Sequence, residues 1–127
     1  WERWQDWLQN DDMWMKETVL THGDLHAGHI TIDPQAQVTG FIDWTEASVT
    51  DPARDFVPHY RTFGRDALGQ LISAYAAAGG HVWSRMAEHV IELNASFALD
   101  VAEFALKSGL DEYKQMARQS LCAIESE

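Results

Sequence analysis

The sequence predicts a mainly helical domain with one small β hairpin near its N-terminal third. Apolar residues recur at helical spacing in several stretches of the chain. Two short β-rich runs, residues 30–32 and 38–42, flank a turn that contains Pro34. Gly79-Gly80 and Ser108-Gly109 stop the longest helical patterns, because glycine accepts the positive φ that ends a helix.

The elements follow in order. Trp1, Trp4 and Leu8 share one face of a short opening helix that ends near Asn10-Asp11-Asp12. Thr18-Val19-Leu20 is a brief apolar run. Ile30-Thr31-Ile32 and Val38-Thr39-Gly40-Phe41-Ile42 are joined by Asp33-Pro34-Gln35-Ala36-Gln37, where the fixed φ of proline favours a turn and its missing N–H does no harm. Pairing about that turn makes facing residue numbers sum to 71 or 72, which sets His29 opposite Ile42 or Asp43. Asp51 before Pro52 caps a helix carrying Asp55, Phe56 and Val57. Ala67, Leu68, Leu71, Ile72, Tyr75 and Ala76 form the stripe of the next helix. A longer helix starts near Ser84, with Met86, Val90, Leu93, Phe97, Val101 and Phe104 on one face. Asp111 caps the last helix, in which Tyr113, Met116, Ala117, Leu121 and Ile124 face inward. No repeat, low-complexity tract or linker divides the chain, so residues 1–127 read as one domain.

Composition narrows the function. Twenty Asp and Glu against nine Lys and Arg give a formal net charge of −11, a field that repels nucleic acid and anionic membranes and favours a cationic small molecule. Cys122 is alone, so no intramolecular disulfide forms and a reducing, cytoplasmic setting fits. No run of eighteen apolar residues offers a membrane span. The chain opens on Trp1 without a signal-like stretch, and 127 residues are few for a two-lobed nucleotide-dependent enzyme, so it reads as a fragment.

The chemistry concentrates in Thr21-His22-Gly23-Asp24-Leu25-His26-Ala27-Gly28-His29-Ile30 and the later Phe41-Ile42-Asp43-Trp44. Phosphoryl transfer needs a carboxylate that orients and deprotonates the attacking hydroxyl, and ligands for the Mg²⁺ that neutralises the triphosphate. Asp24 suits the first task, and His29 and Asp43 suit the second. His22 reads as structural, its ring bonded to nearby backbone, and His26 is a candidate contact to substrate or phosphate. Glu46 and Asp51 are candidates to line a pocket for a cationic sugar, with a helix-cap role as the competing explanation of Asp51. Trp44 reads as core.

His22-Gly23-Asp24-Leu25-His26-Ala27-Gly28-His29 resembles the H-G-D-L-H-x-G-N catalytic loop of the aminoglycoside phosphotransferase and antibiotic kinase family, and Ile42-Asp43-Trp44 resembles its metal-binding triplet, the counterpart of D-F-G in protein kinases. His29 in place of the usual Asn, together with residues 40–47 and 102–109, looks like the macrolide 2′-phosphotransferases in particular. The resemblance extends from about Trp1 to Leu121. It implies the C-terminal lobe of a protein-kinase-like α+β fold, with Asp24 as general base and His29 and Asp43 as Mg²⁺ ligands. It also implies that Asp55 braces the catalytic loop, and that the macrolide ring lies against the helical region of Phe97, Phe104 and Met116, residues whose stripes otherwise read as packing. Histidine departs from the oxygen ligands that Mg²⁺ prefers.

The activity implied is transfer of the γ-phosphoryl group of GTP or ATP to a macrolide 2′-hydroxyl, conferring antibiotic resistance. The glycine-rich loop and strand lysine that hold the nucleotide belong to the N-terminal lobe of such a fold, so the fragment is expected to be inactive without that lobe. Two alternatives compete: another hydroxyl acceptor such as an aminoglycoside, and a hydrolase in which His22, Asp24, His26 and His29 bind a transition metal. The second leaves the glycine and leucine positions and the Ile-Asp-Trp hairpin unexplained.

Overall fold

A computed structural model describes residues 2–125 of the chain, so Trp1 of the opening stripe lies outside the described residues. The order of elements is α1 (Glu2–Gln9), β1 (Val19–Thr21), β2 (Ile30–Ile32), β3 (Val38–Phe41), β4 (Ser48–Thr50), α2 (Val57–Ala77), α3 (Met86–Ser108) and α4 (Asp111–Glu125), with short 3-10 helices at Asp11–Met13, Ala27–His29 and Pro52–Phe56. The mainly helical class with a small hairpin is the observed one. Among the described residues, no helix is long and apolar enough to cross a membrane.

The chain divides into two compact units, Trp1–Ile91 and Glu92–Glu127. The division falls inside the continuous helix α3 rather than at a linker, so composition gives no sign of it.

In the first unit, β2 and β3 pair antiparallel with Ile30 facing Phe41 and Thr31 facing Gly40, the register whose residue numbers sum to 71. The Ile42 N–H continues it by donating to the His29 carbonyl at 2.9 Å. At the turn, Asp33 Oδ1 accepts from the N–H groups of Gln35 and Gln37, both at 2.9 Å, and the register slips beyond Thr31. The hairpin is nested inside a second antiparallel ladder that the sequence reading missed, in which Val19, Leu20 and Thr21 face Thr50, Val49 and Ser48. Nesting sends residues 22–29 and 42–47 out between the two ladders, where they meet.

The core of this unit holds Leu68, Met86 and Val90, each at most 1% exposed, with Met13, Ala53 and Phe56. Removing a side chain such as Leu68 costs about 2–5 kcal/mol. In α1 the buried residue is Trp7 and Leu8 is exposed, so the helix buries a face one step away from the expected one. Asp51 caps the 3-10 helix Pro52–Phe56 through Oδ1, which accepts from the Ala53 N–H at 2.9 Å. The expected pair of helices after Asp51 is this turn plus α2, which is broken at Gly64 by φ 83° and ψ −172°, a combination open only to glycine.

In the second unit the expected inward faces are corrected. Phe97, Phe104 and Met116 are about half exposed, Ala117 is buried as expected, and Ala95, Ala98 and Ala105 are the buried residues of α3 in this unit. The expected stripe of α3 is thus buried at Met86 and Val90 and open at Phe97 and Phe104, where the alanine stripe is the covered one. Phe104 meets Tyr113 edge-on at 4.7 Å. Asp111 lies in the first turn of α4 and bonds Lys114 Nζ at 2.9 Å instead of capping.

Candidate active site

Residue 22 begins the loop immediately after β1, and one carboxylate fastens it. Asp55 Oδ2 accepts the His22 N–H at 2.7 Å and Oδ1 accepts the Gly23 N–H at 2.8 Å. The buried His22 ring donates from Nε2 to the Ile42 carbonyl at 2.8 Å, and its Nδ1 accepts the Asp24 N–H at 3.3 Å. A carbonyl can only accept, so Nε2 carries the proton and the ring is neutral with both nitrogens occupied. That removes His22 from any metal-ligand set, and with it the four-ligand hydrolase cluster. Gly23 has φ 86°, and a Cβ there would lie 2.4 Å from the Glu46 carbonyl oxygen, so only glycine lets the two loops approach this closely.

Asp24 is half exposed, and its Oδ2 lies 3.8 Å from His26 Nε2 and 3.6 Å from His29 Nδ1. These separations exceed hydrogen-bond length, so the imidazoles act on the carboxylate through charge and dipole, leaving it open to an incoming hydroxyl. His26 caps the 3-10 helix Ala27–His29, its Nδ1 accepting the Gly28 N–H at 3.0 Å, and its ring lies 3.9 Å from that of His29. Its capping job places the Nε2 proton on the side of Asp24.

His29 is the better-fixed imidazole. Its Nδ1 donates to the Asp24 carbonyl at 2.9 Å, which leaves a lone pair on Nε2, and Nε2 lies 3.6 Å from Asp43 Oδ2. Asp43 has φ 60°, a left-handed conformation that Asp tolerates better than most residues. Its Oδ1 accepts from the Thr45 hydroxyl. That bond, with smaller help from the Thr45 N–H, holds the Asp43 carboxyl below its usual range. In the neutral His29 ring two acceptors, Nε2 and Oδ2, face each other at 3.6 Å, the donor arrangement that fits a divalent cation. Asp24, His26 and His29 also lie with ligand-type atoms within 4.8 Å of one another, but the nitrogens that face Asp24 carry the protons, so the free nitrogen lone pair of the centre is on the Asp43 side.

The structure therefore brings Asp24, His26, His29 and Asp43 together and sets His22 and Asp55 behind them as supports. Glu46 is exposed on the adjoining loop, where its backbone packs on Gly23. Trp44, expected in the core, is 49% exposed. It packs on His22 at 4.7 Å between ring centres and donates its indole N–H to the Phe41 carbonyl at 3.0 Å. The sequence reading also missed Thr45, for which the Asp-x-Thr spacing was a usable signal.

A second omission is a buried relay: Trp7 Nε1–H donates to His89 Nδ1 at 2.9 Å, and His89 Nε2–H donates to Asp51 Oδ2 at 2.6 Å. Asp51 therefore belongs to a buried network, 5% exposed, and is not a pocket-lining charge. The relay holds Asp51, Asp51 caps the 3-10 helix, and that helix carries Asp55.

Comparisons with known proteins bear on the family and the fold. A model of the "Phosphotransferase enzyme family" matches residues 1–89. A solved type I macrolide 2′-phosphotransferase is 47% identical with a TM-score of 0.82, over 94% of this chain and 40% of that one. The macrolide 2′-phosphotransferase MphH of Brachybacterium faecium is 33% identical with a TM-score of 0.78, over 94% and 41%. The uncharacterized protein YcbJ of Bacillus subtilis (strain 168) is 44% identical over 121 residues, 95% of this chain and 40% of its own. Viomycin phosphotransferase of Streptomyces vinaceus is 30% identical over 98 residues, 75% of this chain and 33% of its own. The chain thus spans 33–41% of the length of the relatives it matches. Its mostly helical architecture with small strand pairs agrees with the C-terminal lobe of a kinase-like fold, and the chain belongs to the phosphotransferase enzyme family.

Proposed function

We propose that this chain is the C-terminal, catalytic-loop and substrate-binding lobe of an antibiotic phosphotransferase that moves the γ-phosphoryl group of GTP or ATP to the 2′-hydroxyl of a macrolide. The observation that carries the reading is the exposed Asp24 carboxylate on a loop fastened by Asp55, beside the facing donors of His29 and Asp43. In the reaction, the Asp24 carboxylate takes the proton of the acceptor hydroxyl. That oxygen bonds to the γ-phosphorus as the bond from phosphorus to the β,γ-bridging oxygen breaks, and the nucleoside diphosphate leaves. Asp43 and His29 would hold Mg²⁺, which when bound supplies charge neutralisation to the phosphates.

His26 and Glu46, exposed beside Asp24 and Gly23, are the proposed contacts to the acceptor. The net charge of −11 supports a cationic acceptor. The nucleotide-holding parts belong, in this reading, to an N-terminal lobe outside the 127 residues.

The 30% identity to viomycin phosphotransferase favours a second reading, a phosphotransferase with a different hydroxyl acceptor. Incubating the full-length enzyme with labelled ATP or GTP and either erythromycin-like or kanamycin-like acceptors separates them. Label on the macrolide is expected, whereas label only on the aminoglycoside would replace the macrolide assignment. The 127-residue chain alone is expected to fold without catalysing transfer, because positioning of the phosphates is most of the catalysis and resides in the other lobe. Turnover by this chain would refute that division of labour.

A further inference from the structure

Resting on the reading of His29 and Asp43 as the cation ligands, we propose that His29 tunes the centre toward first-row transition ions, Mn²⁺ among them, at the expense of Mg²⁺. Three features of the geometry carry this. The first is the fixed tautomer: Nδ1–H is committed to the Asp24 carbonyl at 2.9 Å, so the coordinating atom is an imidazole nitrogen already carrying its lone pair on the Asp43 side. Metal-binding histidines are commonly oriented by such a bond from the other ring nitrogen to a carbonyl or carboxylate.

The second is fixed orientation. The His29 side chain is only 15% exposed and its ring is held between His26, at 3.9 Å, and His22, at 5.8 Å. Asp43 is fixed in turn by Thr45 on Oδ1, which leaves Oδ2 toward His29. The third is reach. Bonds of roughly 2.1 Å from one ion span up to about 4.2 Å between two donors, so the 3.6 Å separation of Nε2 and Oδ2 lets both touch one ion without rearrangement.

Selectivity follows from ligand chemistry. Mg²⁺ is hard, prefers oxygen and gives up its waters reluctantly, so an imidazole in place of an amide oxygen weakens its hold. First-row transition ions accept imidazole nitrogen readily, and their affinity for mixed nitrogen and oxygen sites rises along the series from Mn²⁺.

The test uses the 127-residue chain with Mn²⁺ as probe. Electron paramagnetic resonance measures bound against free Mn²⁺, competition by Mg²⁺ measures the preference, and electron spin-echo modulation reads coupling to a directly bound ¹⁴N. Expected are a ¹⁴N coupling in the wild type that disappears in His29→Asn, and a preference for Mn²⁺ over Mg²⁺ that falls on the order of tenfold in that variant, the scale on which one changed partner alters metal affinity. Asp43→Ala should weaken both ions, with circular dichroism confirming the fold of each variant and His29→Gln serving as a second replacement. If Asp43→Ala weakens both ions but His29→Asn changes neither coupling nor preference, the selectivity inference is overturned and the cation centre stands. If Mn²⁺ does not bind, or binds unaffected by Asp43→Ala, the centre itself is wrongly assigned and both fall.

Discussion

Replacing Asp55 tests how the catalytic loop is held. Its two oxygens each receive one backbone N–H, from His22 at 2.7 Å and Gly23 at 2.8 Å, and these bonds are charge-assisted. Asp55→Ala strands both donors, and a buried donor left without a partner costs about 1–3 kcal/mol. Both bonds are part-buried, so water recovers some of the loss, and the expected destabilisation is about 2–4 kcal/mol. For a domain of this size that corresponds to a fall in Tm on the order of 10 °C. Asp55→Asn keeps one acceptor oxygen but turns an amide N–H₂ toward the other donor, so it should lie about midway between wild type and Asp55→Ala. Urea unfolding followed by tryptophan fluorescence measures both. In the full-length enzyme, displacement of the loop should lower kcat more than it raises KM. An Asp55→Ala chain within about 0.5 kcal/mol of wild type, the range of an ordinary surface substitution, would refute the claim that this carboxylate fastens the loop.

Three further predictions follow from the site and its supports. In the full-length enzyme Asp24→Asn should lower kcat by roughly 10²–10⁴ with little change in macrolide affinity, and near wild-type kcat would remove Asp24 as base. Thr45→Val removes the largest cause of Asp43's lowered pKa, so a carboxyl-detected NMR titration should show the Asp43 midpoint rising toward 3.8; an unchanged midpoint would deny Thr45 that role. The sign follows from linkage: the depressed folded value contributes stability above the unfolded pKa, which is lost as pH falls through the folded one, and Thr45→Val should shrink that acid-side loss. His89→Ala takes the hydrogen-bond partner from the Trp7 indole N–H and from Asp51 Oδ2 in a buried site, leaving Asp51 only its Oδ1 bond to the Ala53 N–H, so it should destabilise the first unit by about 3–5 kcal/mol in urea titrations, whereas a loss below 1 kcal/mol would show the relay to be dispensable.

What was legible in the sequence depended on how locally each feature is encoded. The β2–β3 register could be counted because five residues separate two alternating runs and proline marks the turn, so arithmetic set His29 opposite Ile42 or Asp43, and the observed register takes Ile42 with Asp43 next to it. The β1–β4 ladder could not, because Ser48-Val49-Thr50 is three residues long and its partner lies far back in the chain. Helical periodicity located α3 and its buried start at Met86 and Val90 but not the side covered further along, where an alanine stripe and a phenylalanine stripe both run and size suggested the wrong one. His89 carried no spacing signal, being one histidine in an apolar stretch whose partners, Trp7 and Asp51, are 82 and 38 residues away. In the site itself the chemistry-bearing residues were legible from the motif, while their orientation by Thr45 and by the Asp24 carbonyl required coordinates.

The contact of Gly23 with Glu46 bears on how such a protein diversifies. Every replacement at position 23 meets two penalties at once, a φ of 86° that side chains disfavour and a Cβ only 2.4 Å from the Glu46 carbonyl oxygen. Neither can be relieved without shifting the backbone that carries Asp24 on one side or Asp43 on the other. Mutational drift therefore has no small step available there, and the spacing between base and cation ligand is inherited as a fixed length. Adaptation to a new acceptor has to proceed through exposed neighbours such as His26 and Glu46, whose side chains can change without moving that gap. In a library randomised across residues 22–29 and 42–47 and selected for phosphoryl transfer, position 23 should return glycine alone while position 46 returns a spread of residues.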